Sequence, residues 1–365
     1  MVSSRFWCML PAQQQALNAL SSRQRTPCFV LFPQIAEQNA RAFAHAAKKK
    51  CKKFSICYSV KTNPHPRILS TLDSVGIGME VVSLRELHAI KSFSGKKVFN
   101  SPAASEEELR EALSQKCLII IDNLSQAHSL HALLKGKPLE VGIRVRMDAH
   151  RFGFSPQEIK PAIAELQEMG FSIVALHAHP GTNQTLQEYQ KFLSRVHALL
   201  LDFPPIRTLD LGGGFPGNEN LRARKNSLDD YMELVASTLG ESISGVEIVF
   251  EAGRNLVEDT MFLLLQVQHL KEGNGAHYAL MDSGINVLSK LSMSPLRFIP
   301  LHESGEKKHN FFLCGPSMFG SDEFARIFAK LERGDIIAVE NVGAYCTELA
   351  WNLSRDVPPI YIGEK

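Results

Sequence analysis

Leu118-Ile119-Ile120-Ile121 is the stretch whose reading decides the fold. It lies within residues 117–122 and is apolar without a break. A strand with one wet face alternates apolar and polar side chains, whereas a strand covered by helices on both faces of a parallel sheet does not. Immediately upstream, residues 105–116 open Ser-Glu-Glu-Glu, a first turn whose carboxylates suit the positive end of a helix dipole. Short runs rich in Val, Ile and Leu recur on both sides. They are 54–60, 78–83 and 97–100 before it, and 140–145, 173–179, 207–213 and 247–253 after it. Helical patterns at 33–49, at 155–170 (Pro156 at its first position, Gly170 at its end) and at 227–239 separate the runs. Eight alternations over roughly 220 residues predict an α/β fold, a (β/α)8 barrel of the TIM type, with a doubly wound sheet as the competitor.

After Arg254 the texture changes. Runs 263–269, 277–282, 297–302, 311–314 and 335–342 read as strands joined by loops, with a helical pattern at 322–333. The expected organisation is a barrel over 27–257 and a β-sandwich-like domain from 1–26 with 258–365.

The composition fits one large and one smaller domain. The chain has 365 residues, 44% of them apolar and 21% charged, with a formal net charge of +2. These are ordinary values for a soluble protein, and the mixed charges give no footprint for nucleic acid or a membrane surface. Lys48-Lys49-Lys50 and Lys52-Lys53 read as a solvated helix end. The seven cysteines are odd in number, scattered, and lack Cys-x-x-Cys, which argues against a disulfide framework or a zinc site and suits a reducing cytoplasm. Residues 1–15 have no apolar run of signal-peptide length, and no stretch approaches the ~18 apolar residues of a membrane span.

A barrel carries its active site at the C-terminal ends of its strands. The first run ends in Lys61. The second ends in Ser83, with Glu86 beyond it. Arg144 lies on the fifth run, and His177 and His179 end the sixth. The seventh runs into Gly212-Gly213-Gly214, and the eighth carries Glu251, followed by Arg254. Singly these are a loop lysine, structural histidines, a tight turn and a surface ion pair. Together they meet the needs of a phosphorylated aldehyde cofactor. A lysine amine forms a Schiff base with an aldehyde, and partial burial makes it nucleophilic. Glycine backbone lets N–H groups approach phosphate, and Arg254 adds charge-assisted bonds. Glu251 can pair with a pyridine nitrogen and keep the ring an electron sink, while the imidazole of His179 packs on its face. No metal is needed, because His177 and His179 alternate across a strand.

These residues resemble the fold type III pyridoxal-phosphate decarboxylases, typified by diaminopimelate decarboxylase and eukaryotic ornithine decarboxylase. The resemblance runs from about Thr26-Pro27 to Tyr361. The family's Tyr-x-Val-Lys-x-Asn is matched by Tyr58-Ser59-Val60-Lys61-Thr62-Asn63. Its His-x-Gly-Ser is matched by His179-Pro180-Gly181-Thr182, and its glycine loop by Gly212-Gly213-Gly214. Glu-Pro-Gly-Arg is matched by Glu251-Ala252-Gly253-Arg254, and Gly-Ala-Tyr by Gly343-Ala344-Tyr345. The resemblance implies pyridoxal 5'-phosphate as cofactor, with Glu80, Arg144, Thr182, Gly253 and Tyr345 joining the residues already named. It also implies a barrel plus a β-sandwich, α-decarboxylation of an amino-acid-type substrate, and a homodimer with shared active sites. Racemisation on the same fold, where arginine faces the pyridine nitrogen, is the alternative activity; a non-catalytic homologue acting through a partner is the other.

One loop departs from the pattern. Relatives read Gly-Pro-x-Cys-Glu/Asp-x-x-Asp, and this chain reads Gly315-Pro316-Ser317-Met318-Phe319-Gly320-Ser321-Asp322. The resemblance gives this loop to the partner subunit's site. Met318 holds the catalytic cysteine's position, yet a thioether has no proton to give. Phe319 holds the position of the acid that reads a distal substrate amine. Glu80 stands for the usual aspartate and Ala252 for the usual proline. The expected substrate is therefore an amino acid or amino-acid conjugate other than free ornithine, lysine or diaminopimelate, with siderophore or secondary-metabolite types among the options. Phe319 and Asp322 are expected to contact it, with Arg297 meeting a carboxylate.

Overall fold

The computed structural model describes residues 11–147, 150–288, 295–352 and 355–363. The chain divides into two compact units, one of residues 36–256 and one of 1–35 with 257–365.

Strand β1, Cys28–Leu31, precedes the eight strands of the first unit. These are β2 (Phe54–Ser59), β3 (Gly78–Val81), β4 (Lys97–Phe99), β5 (Leu118–Ile121), β6 (Leu139–Val145), β7 (Phe171–Ala178), β8 (Thr208–Asp210) and β9 (Glu247–Phe250). They form a closed parallel barrel in chain order. Phe54, Ser55 and Ile56 of β2 pair with Ile248, Val249 and Phe250 of β9, and this closure excludes the doubly wound sheet. The apolar run read first is β5, whose three isoleucines have no exposed surface.

Caps fix the helices between them. Ser105 and Glu108 form a reciprocal capping box at the head of Glu106–Ser114, so the acidic turn read from sequence is a helix start. Ser227 and Asp230 do the same for Leu228–Leu239. The segment beginning at Ser155 turns first, its N–H bonded to the Glu158 carboxylate, and becomes helical over Ile159–Glu168.

The second unit is β-rich. Its strands are β10 (Met261–Gly273), β11 (Ala276–Met281), β12 (Arg297–Pro300), β13 (His309–Cys314), β14 (Glu323–Ala329), β15 (Ile336–Glu340) and β16 (Ile360–Ile362), in the order β12-β15-β10-β11-β13-β14. Two expectations need correction. Residues 28–31, drawn into the barrel from sequence, pair as β1 with β10 and β16, and Cys28, Val30 and Phe32 pack on Phe262, Leu264 and Ala338. Residues 322–333 are not a helix. Phe324, Ile327, Phe328 and Leu331 have helical spacing, but the segment pairs antiparallel with β13 from His309↔Ala329 to Cys314↔Glu323. That ladder outweighs a local helical preference. Among the described residues, no helix is long and apolar enough to cross a membrane.

Candidate active site

The end of β2 sets the first reactive group. Asn63 precedes Pro64 and is extended, with φ −165° and ψ 101°, which stops the helical turn Val60–Thr62 after one round. The Tyr58 hydroxyl donates to Asn63 O at 3.0 Å and closes the turn. Val60 and Thr62 are buried, and Lys61 lines a cavity of about 440 Å³. Its amine donates to both Glu80 oxygens, at 2.8 and 2.6 Å. Glu80, on β3, has no exposed surface. Burial raises its pKa, Lys61 works against that rise, and Glu251 adds to it.

Glu251 follows β9 and lines the same cavity. Burial alone would raise its pKa, yet His177, Lys61 and His179 more than reverse this and hold it at about 2. Its Oε2 lies 3.3 Å from His177 Nε2. Its Oε1 is buried, and the carboxyl of Asp210 is a hydrogen-bonding neighbour of Glu251. Behind it runs a polar chain. Asn100 Nδ2 is 3.2 Å from His177 Nε2, and Arg144 Nη1 donates to Asn100 Oδ1 at 3.3 Å. Asp210, at the end of β8, accepts from Gly212 N–H at 2.9 Å, and burial and then Glu251 hold it well above the usual carboxylate range.

Gly213 N–H donates to His179 Nδ1 at 3.2 Å, so the ring's own proton sits on Nε2. Burial pushes the His179 pKa down to about 3, which keeps the ring neutral. The glycine loop is forced by crowding. A Cβ on Gly212 would lie 2.5 Å from His179 Nδ1, and one on Gly213 would lie 2.6 Å from Glu251 O. Gly253 is equally tight, since a Cβ there would meet Thr62 Oγ1 at 2.4 Å.

Of the residues singled out from sequence, the cavity is lined by Lys61, Glu80, Arg144, His179, Thr182 and Glu251. Gly212, Gly213, Gly214, Gly253 and buried Arg254 belong to the same unit. Asn100 and Asp210 were missed, although both sit at strand ends and the rule that found Lys61 applies to them. Tyr345, Arg297, Met318, Phe319 and Asp322 belong to the other unit. There Arg297 pairs with Glu340 across β12 and β15 at 3.2 Å, so its charge is engaged within its own sheet. Asp322 is buried and accepts from Ile285 N at 2.8 Å and Ser317 N at 2.9 Å, so its carboxylate shapes the loop. Met318 is fully exposed. Phe319 is half-exposed, its ring centroid 6.2 Å from that of Trp351.

The family model for the pyridoxal-binding domain of the pyridoxal-dependent decarboxylases matches residues 37–258. The chain belongs to this family. Over 362 residues the decarboxylase is 25% identical to the diaminopimelate decarboxylase of Aquifex aeolicus, covering 90% of this chain and 84% of that one. It is 26% identical over 368 residues to that of Pseudomonas fluorescens, covering 92% and 86%. Its fold is similar to the lysine/ornithine decarboxylase of Vibrio vulnificus complexed with putrescine, with a TM-score of 0.84, 21% identity and coverage of 97% and 99%.

The residues of the cavity fit the family's cofactor. A buried carboxylate held ionised lines the cavity and suits a protonated pyridine nitrogen. The 212–214 loop is packed too closely for any Cβ, which leaves its backbone bare of side chains, and the Lys61 amine lines the cavity with Glu251 and His179. When bound, pyridoxal phosphate supplies the sink for the electron pair that departing carbon dioxide leaves behind.

Proposed function

We propose that this decarboxylase removes the α-carboxylate of an amino acid whose distal end carries no free amine, as a cytoplasmic homodimer with shared active sites. The observation that carries the reading is Phe319. It is a half-exposed aromatic ring beside Trp351, in the loop where relatives keep an acid, and it offers no charge to an ammonium group. A conjugated amino acid, acylated or joined to a polycarboxylate, suits such a surface. The odd and scattered cysteines support the cytoplasmic setting.

In this reading the substrate amine takes the place of Lys61, the α-carboxylate leaves as carbon dioxide, and protonation of the α-carbon gives the amine. Glu251 would hold the ring nitrogen protonated, His179 would pack on the ring face, and Arg144 and Glu80 would stand beside it. Gly212, Gly213, Gly214, Arg254 and Tyr345 take the phosphate, with Thr182 and Gly253 beside them. An ionised Glu251 favours decarboxylation over racemisation, because it strengthens the electron sink.

The test is carbon dioxide release by the cofactor-loaded protein, screened over free ornithine, lysine and diaminopimelate and over their acylated and citrate-linked derivatives. The derivatives are expected to lead in kcat/KM by about tenfold or more, a margin of ~1.4 kcal/mol. Equal or better turnover of the free diamino acids overturns the substrate assignment.

A further inference from the structure

The reaction needs an acid near the substrate's α-carbon, and Met318 removes the family's usual one. The described residues that line the cavity narrow the choice. His179 is already neutral, its Nδ1 occupied by Gly213 N–H. Glu251 is held ionised by His177. Arg144 does not give up its proton in proteins. His150 lies on the exposed rim. Glu80 and Lys61 remain, and they touch each other. Lys61 is the group the substrate amine displaces, and its Nζ lies 2.6 to 2.8 Å from the Glu80 oxygens, so the Glu80 carboxyl reaches the place where the amine is exchanged. Glu80 carries one methylene more than the aspartate usual in relatives, which lengthens its reach.

We propose that Glu80 is the acid that delivers the proton to the substrate's α-carbon after carbon dioxide leaves. The inference rests on the decarboxylase reading above. The C–C bond to the carboxylate breaks and its electron pair stays with the α-carbon, delocalised into the ring. The proton on the Glu80 carboxyl forms the new C–H bond, Glu80 is left as a carboxylate, and solvent returns the proton. One proton is consumed per carbon dioxide released, as the overall reaction requires.

The setting favours a protonated Glu80 at that moment. It is fully buried, with Glu251 and Asp210 as acidic neighbours, Glu86 nearby, and Lys61 as its one cationic contact among the described side chains. Burial and Glu251 push its pKa up, and Lys61 is the main influence holding it down. Once Lys61 is engaged or displaced, that restraint weakens and the neutral acid is favoured.

The experiment is a product balance. In the wild type, carbon dioxide and amine are expected in a one-to-one ratio. In Glu80→Gln, cofactor absorbance is expected to persist, while carbon dioxide exceeds amine several-fold. The remainder appears as aldehyde with the amine form of the cofactor, because the carbon pair goes unprotonated at its proper site. A one-to-one ratio in loaded Glu80→Gln overturns the proposal and leaves Lys61 or water as the donor. If Glu80→Gln fails to take up cofactor, Glu80→Asp decides. Its retracted acid is expected to give an excess between those of wild type and full loss, and a ratio equal to wild type overturns the assignment. Infrared difference spectra give a reading independent of turnover. A protonated-carboxyl band is expected when an unreactive substrate analogue binds the wild type, and its absence overturns the proposal. If the wild type releases no carbon dioxide from any amino acid, the decarboxylase reading fails, and the infrared band still settles the state of Glu80.

Discussion

The two oxygens of Glu251 have different surroundings. One faces His177 at 3.3 Å, the other is buried, and the raised carboxyl of Asp210 is a hydrogen-bonding neighbour of the group. Glu251→Gln keeps the size and loses the charge. The expected result is a kcat lower by about 10²- to 10³-fold with the cofactor still bound, the scale of losing one preorganised electrostatic partner. Retained kcat with normal cofactor absorbance would exclude Glu251 as the partner of the ring nitrogen. His179 gives a prediction about pH. Its folded pKa is about 3 against 6.5 for a free histidine, so the unfolded chain takes up this proton first on acidification. The stability it contributes is therefore present above 6.5 and lost as pH falls from 6.5 towards 3. Glu86 runs the other way. Burial raises it from 4.5 to about 7, so its contribution is lost as pH rises across that interval. Urea midpoints of cofactor-free wild type and His179→Gln, compared from pH 7 to 4, isolate the histidine. The wild type is expected to lose stability faster, and parallel curves would show that His179 is freely protonated in the fold.

The glycine loop after β8 shows how an element positions the site. A methyl on Gly213 would lie 2.6 Å from the backbone oxygen of Glu251, and neither backbone can give way cheaply. Gly213→Ala is expected to cost about 1–3 kcal/mol, as overpacking does. If this loop takes the phosphate as proposed, cofactor affinity should fall about tenfold or more, ~1.4 kcal/mol per decade. Ser105→Ala is the control. It removes a capping box in the same unit and should cost about 1 kcal/mol of stability without touching cofactor affinity. Titration with pyridoxal phosphate and thermal melts separate the two, and equal affinity losses would show that the glycine effect is only global.

The same scale explains what could be read in advance. The barrel strands were legible because burial on both faces leaves continuous apolar runs. The helix Leu84–Ala89 was not, since six residues are too few for a period to show. Leu186–Leu200 was legible through the Thr185–Glu188 capping box and was passed over. Lys61, His179 and Glu251 declared themselves by strand-end position, and Asn100 and Asp210 obey the same geometry without a distinctive residue type. The pair of Arg297 with Glu340 was not legible, because it joins two strands and a cross-strand pair leaves no trace in either strand alone.

At the scale of the whole molecule, the residues singled out from sequence fall in both units. The barrel unit holds Lys61 and its cavity, while the β-rich unit holds the loop 315–322, with Met318 fully exposed and Phe319 half-exposed. Under the proposed two-fold dimer, each site combines the barrel of one subunit with the loop of the other, and a two-fold interface makes both sites equivalent. That arrangement has a quantitative consequence. Lys61→Ala removes the amine and leaves the loop intact. Asp322→Ala leaves the amine intact and takes the carboxylate from the two N–H groups that shape the loop, those of Ile285 and Ser317. Each variant alone is expected to be inactive. When the two are mixed in equal amounts and allowed to exchange subunits, half of the dimers are mixed. In a mixed dimer one site collects both defects and the other collects neither, so about 25% of wild-type activity should return. Native mass spectrometry establishes that mixed dimers have formed. If they form and activity stays at the level of the parents, each site is complete within one chain, and the loop carrying Met318 and Phe319 serves its own barrel or none.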